Sequence, residues 1–135
     1  MESHSVKYTT VEQANAMLPK VLPQVELAVK LFSAIKLLET ISITYDDHQL
    51  TYTKEIEQKK EVHRRWLELY NIVEDLAKEG IVVKDLETGL IDWYGRHDGR
   101  NIWICYKLGE ENVAFWHEFN AGFGARQSIE FLKKQ

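Results

Sequence analysis

Before Gly80, apolar residues recur at alternating steps of four and three; beyond it the spacing falls to two. The first pattern belongs to helices packed lengthwise, the second to strands with one buried face. Ala14, Leu18, Val21, Val25, Ala28, Phe32 and Ile35 form one seam, the stripe of a helix crossing another at a shallow angle. Thr9 and Glu12 fit a capping box at its start. Pro19 and Pro23 each remove a backbone donor and crowd the preceding turn, which predicts a short leading helix and then a break or kink. The polar run Tyr45-Asp46-Asp47-His48 interrupts the pattern. A second long helix is expected from about Thr53 to Lys78, with the seam Val62, Trp66, Leu69, Val73 and Leu76. Gly80 suits the left-handed residue that closes a helix, and Lys78 sits well against the helix dipole.

Two matching seams joined by a short linker predict an antiparallel helical hairpin. A hairpin encloses little, so a homo-oligomer formed through the helices is the expected way to bury more. After Gly80 the alternation predicts strands at 81–84, Leu90 to Trp93, Asn101 to Lys107 and Val113 to His117. Asp98-Gly99 is a tight-turn signal between two of them, and Gly109-Glu110-Glu111-Asn112 supplies the next reversal. The expected fold is therefore α+β: a long antiparallel helical hairpin with a short leading helix, plus an antiparallel β-sheet of about four strands. One domain is expected over 1–135, with the hairpin at about 9–80, the β unit at about 81–126 and a C-terminal tail at 127–135.

The length of 135 residues allows a core without disulfide or metal staples, and 44% apolar with 28% charged residues is ordinary for a globular protein. A net charge of −4 argues against a nucleic-acid partner, which needs a basic face. The basic cluster Lys59, Lys60, His63, Arg64 and Arg65 is interleaved with Glu55, Glu57, Glu61 and Glu68, the pattern of a solvated helix face. No stretch approaches the roughly 18 apolar residues of a membrane span, so no membrane partner is expected. A single cysteine excludes an internal disulfide and suits a reducing compartment. With no apolar signal core near the N-terminus, a cytoplasmic location is expected.

Chemistry concentrates between Gly89 and Arg126, which hold three of the four tryptophans, the one cysteine and a His-Glu pair. Three blocks carry a resemblance: T-x-x-E-x-A-N-x-x-L-P at Thr9 to Pro19, K-D-L-E-T-G-L-I-D-W at Lys84 to Trp93, and G-R-x-x-x-x-C-Y-K-L-G-E followed by F-W-H-E-F-x-x-G-F-x-x-R from Gly99. In order and spacing they resemble a bacterial family, the domain of unknown function (DUF) 2203 family, across Tyr8 to Ile129. The residues matching its characteristic blocks are Asp92, Gly99, Arg100, Cys105, Gly109, Glu110, Trp116, His117, Glu118, Gly122 and Arg126. Where that family commonly has Cys-Trp, this chain has Cys105-Tyr106, which keeps an aromatic ring. The resemblance implies no reaction or substrate.

Read from the residues themselves, His117 and Glu118 offer a metal ligand with a carboxylate, or a proton-transfer pair. Neighbours in a strand point to opposite faces, so both serve one site only where the strand ends. The alternative is structural: His117 bonding a turn carbonyl and Glu118 pairing with Arg126. Asp92, Glu110 and Cys105 complete a candidate ligand set for a divalent transition metal. Cys105 shares a strand face with Trp103 and Lys107, opposite Ile102, Ile104 and Tyr106, and reads first as a small core residue. Arg100 and Arg126 suit an anionic ligand bidentately, with Trp116 as an apolar wall, or else lock Glu110 and Glu118. Trp93, Trp103, Phe115, Trp116, Phe119 and Phe123 are expected to build the core between sheet and helices.

Three functions stay open on this sequence. The first is a non-catalytic module for self-association or partner binding. The second is a metal- or small-ligand-binding protein with its site around His117 and Glu118. The third is an enzyme using His117 as general base.

Overall fold

The computed structural model describes residues 7–133. Helix α1 spans Val11–Thr40 and α2 spans His48–Lys78; strands β1 to β4 follow at Ile81–Asp85, Leu90–His97, Arg100–Lys107 and Phe115–Glu118. A single 3-10 turn at Phe123–Ala125 leads to β5, Gln127–Ser128, and the four-residue helix α3, Glu130–Lys133. The strands form one antiparallel meander in the order β1-β2-β3-β4-β5. The fold is α+β, as expected, with five strands instead of four. The fifth lies in what reads as a tail, because two residues are too few to show an alternation.

Among the described residues no short leading helix precedes α1. The helix runs unbroken through Pro19 and Pro23. Both prolines are exposed and fall on the solvent side of α1, while Leu18, Val21 and Val25 keep the buried seam on the other side. The capping box is displaced by one residue from the expected pair. Thr10 is the N-cap; its hydroxyl accepts from the Gln13 N–H, and the Gln13 side chain accepts from the Thr10 N–H. Helix α2 begins five residues before the expected Thr53, because Asp47 caps it by accepting from the N–H groups of Gln49 and Leu50. Gly80 closes α2 with φ +86.

Two clusters hold the chain together. Ala14, Leu18, Val21 and Val25 of α1 and Leu76 of α2 pack on one face of the sheet, against Ile81, Ile91, Trp93, Ile102, Ile104, Tyr106 and Trp116. Further along the hairpin, Ala28, Leu31 and Ile35 pack on Val62 and Leu69, with Phe32 and Trp66 beside them. The Asn15 side chain fixes α1 to the loop before β4: its amide donates to the Val113 carbonyl and its oxygen accepts from the Val113 N–H. Ile91 and Trp93 both enter the helix-facing core, so Asp92 between them points to the outer face. The aromatics divide in the same way. Trp93 and Trp116 lie in the core, whereas Trp103, Phe115, Phe119 and Phe123 belong to the outer side, contrary to the expectation that all would fill the helix interface.

Candidate functional site

The outer face of the sheet carries a row of directly paired residues. Asp92 of β2 opposes Cys105 of β3, which opposes Phe115 of β4; one step along, Tyr94 opposes Trp103, which opposes His117. Side chains opposite one another on neighbouring strands lie close and share a face. The chain after β4 turns back over that face. Phe119 stacks on Trp103 at 4.5 Å with rings nearly parallel, and the Arg126 guanidinium lies 4.1 Å from the Phe115 ring and 4.6 Å from Phe123.

Beneath this roof Asp92, Cys105 and His117 are all buried, and one ligand atom from each lies within 4.8 Å of the others. His117 Nε2 is 3.2 Å from Asp92 Oδ2, and its Nδ1 is 2.9 Å from the Glu118 carbonyl. Asp92 Oδ1 is buried and no group meets it at full hydrogen-bond geometry, the neighbouring Cys105 thiol being a weak donor to the same carboxyl. Burial raises the Asp92 carboxyl above the ordinary range, although the Cys105 thiol, His117 and Lys84 pull the other way. Burial also pushes the Cys105 thiol up to about 12, reinforced by the charge of Asp92 and opposed by Arg126. The metal-free thiol is therefore protonated at neutral pH and is a poor nucleophile.

The other candidates sit apart from this cluster. Glu118 ends β4 and pairs with Arg100, at the start of β3, at 3.2 Å. Glu110 accepts from the Lys107 N–H at 2.6 Å and from Arg126 Nη2 at 2.7 Å. The pairing of arginines and carboxylates is thus Arg100 with Glu118 and Arg126 with Glu110. Trp116 is 4% exposed in the helix-facing core, where its indole N–H donates to the Ser128 carbonyl. Lys84, which the sequence did not single out, places its ammonium 3.8 Å over the Trp103 ring, and its charge reaches Asp92. No sequence signal marked it, because the register of β1 on β2 shifts between Val83 and Asp85, at Lys84 itself.

Three donors of different hardness, a carboxylate, a thiol and an imidazole, converge on one point from three adjacent strands. That set suits a zinc-like ion, which takes S, N and O ligands in tetrahedral sites. The backbone of a sheet holds their spacing, so the donors need only side-chain adjustment to close on an ion.

Searches among curated proteins and among solved structures found no match. A family model described as an uncharacterized conserved protein, DUF2203, matches residues 7–129. The chain belongs to the DUF2203 family.

Proposed function

We propose that this protein binds one divalent transition metal, zinc-like in its preferences, through Asp92, Cys105 and His117. The observation that carries the proposal is Asp92: a carboxylate 1% exposed, with one oxygen met by no full hydrogen bond, next to a thiol and an imidazole. A buried polar atom so weakly paired costs free energy, and a cation at the centre of the three donors supplies the missing partner. Thiol and imidazole select against magnesium and calcium, which prefer oxygen ligands. Three protein donors leave one tetrahedral position for an external ligand. Elemental mass spectrometry on tag-free protein purified without chelator tests the proposal. About one zinc-like ion per chain is expected, falling to none in Cys105→Ala and His117→Ala; wild-type protein that neither retains nor takes up metal would overturn it.

A second reading concerns the helices, where the hairpin mediates self-association. From residue 48 to 61 α2 contributes nothing buried, and Tyr52, Leu67 and Tyr70, each at least 60% exposed, share one helix face with Ile56. A two-helix arm with an open apolar stripe is completed by a second copy in a four-helix arrangement.

A further inference from the structure

A cavity of about 400 Å³ opens between the start of α1 and the far ends of β2 and β3, and it shares no residue with the Asp92–Cys105–His117 cluster. That volume falls in the range of small-molecule sites, roughly 300–1,000 Å³. We propose that it binds a monocarboxylate with an apolar body, the carboxylate at the N-terminus of α1 and the body along the sheet.

The strand pairing creates the opening. β1 pairs with β2 only as far as Trp93, and beyond it Thr9 takes the free edge, its N–H donating to the Tyr94 carbonyl at 2.7 Å. The first turn of α1 is thereby set beside the end of the sheet. Ile102 and Ile104 of β3, with Ile129 and Leu132 from the C-terminal segment, give the cavity its apolar side. These residues also belong to or pack on the helix-facing core, so the cavity has a firm floor.

The other side is polar and short of partners. The Thr10 hydroxyl takes the Gln13 N–H, and the Ala14 N–H bonds the Thr10 carbonyl. Val11 and Glu12, both at the cavity wall, are left with backbone N–H groups that meet no acceptor among the described residues. Thr9 lines the same cavity, is 5% exposed, and has a hydroxyl with no hydrogen-bond partner. A buried hydroxyl left so costs free energy, which a ligand oxygen would recover. Arg96 is a further wall residue; its guanidinium lies 5.2 Å from the Tyr8 ring and pairs with no carboxylate among the described residues. Free N–H groups at the start of a 30-residue helix, beside a guanidinium, favour an anion. Glu12, exposed at the same wall, opposes a second negative charge and so selects a monoanion over a phosphate or a dicarboxylate.

Isothermal titration calorimetry on the full chain tests this with sodium octanoate and with 1-octanol, its uncharged match. One octanoate per chain is expected, bound about tenfold or more tightly than octanol. Arg96→Gln, at an exposed position, should weaken octanoate about tenfold and leave octanol within about twofold. Thr9→Val keeps the side-chain shape and should weaken octanoate about threefold. Glu12→Gln should tighten it by removing the opposing charge. Failure to bind octanoate, equal binding of the two probes, or several octanoates per chain would overturn the proposal. So would an unchanged affinity in Arg96→Gln or a weaker one in Glu12→Gln. None of these readouts uses a metal, so each can fail with the metal site intact.

Discussion

Asp92 and Cys105 face each other as directly paired residues of β2 and β3, both buried on the side of the sheet away from the helices. The pairing sets an acid against a thiol in a place where neither is well solvated. Asp92 adds to the proton affinity that burial has already raised in the thiol, whereas the thiol lowers that of Asp92, and His117 from β4 completes the group. A fold selected for stability alone would place apolar side chains there, as it does on the opposite face of the same strands.

The first prediction concerns Asp92. Burial raises its carboxyl, so the fold favours the protonated form. Its contribution to stability is therefore present below the ordinary carboxylate range and is lost as the pH rises through the raised value. Once ionised, the group is held against burial. Asp92→Asn is expected to stabilise the metal-free protein by about 1–2 kcal/mol and to abolish zinc binding. Urea denaturation of both proteins in chelator, followed by zinc titration, checks both halves.

Cys105 gives a second prediction, again with a raised value in the folded state, from the usual 9.0 for a thiol to about 12. Stability from this group is complete below about pH 9 and is lost as the pH climbs from 9 towards 12. The metal-free thiol should react slowly with an aromatic disulfide reagent at neutral pH. Zinc must displace its proton, so apparent zinc affinity should rise about tenfold per pH unit below that range. A titration series in pH with one chelator measures the slope; a flat profile would exclude the thiolate as a ligand.

Much of the fold was legible because helices and strands imprint different periods. The seam from Ala14 to Ile35 and the alternation from Gly80 onward located both halves. The misreadings were local. Pro19 and Pro23 are tolerated because they fall on the solvent side of α1, a fact of orientation that residue identity does not carry. Asp47 as a cap extends α2 upstream through residues whose polarity resembles a loop. At the site, strand alternation indicated the face of Cys105, but the convergence of Asp92 with it depends on register. Register is fixed here by the Asp98-Gly99 turn, with φ of 52 and 73. Glu118 was drawn to His117 by adjacency in sequence, yet its carboxylate bonds Arg100.

That turn supports a third prediction. Gly99 holds a positive φ with open space around it, so Gly99→Ala should cost about 1 kcal/mol through backbone conformation alone. Thermal denaturation measures the loss. Zinc stoichiometry should be unchanged provided the β2–β3 register survives.

The hairpin supplies a fourth. Leu67 and Tyr70 are exposed on one face of α2, and self-association through that stripe should fail in the double variant Leu67→Ser/Tyr70→Ser. Sedimentation velocity is expected to show a dimer for wild type and a monomer for the variant, with zinc binding retained in both. A monomeric wild type at micromolar concentration would remove the self-association reading.

The measurement closest to the central claim is zinc K-edge X-ray absorption on protein loaded with one equivalent of zinc. A site built from Asp92, Cys105 and His117 predicts one sulfur at about 2.3 Å, with nitrogen and oxygen at about 2.0–2.2 Å, and loss of the sulfur shell in Cys105→Ser. A wild-type spectrum with oxygen and nitrogen neighbours only would contradict the assignment.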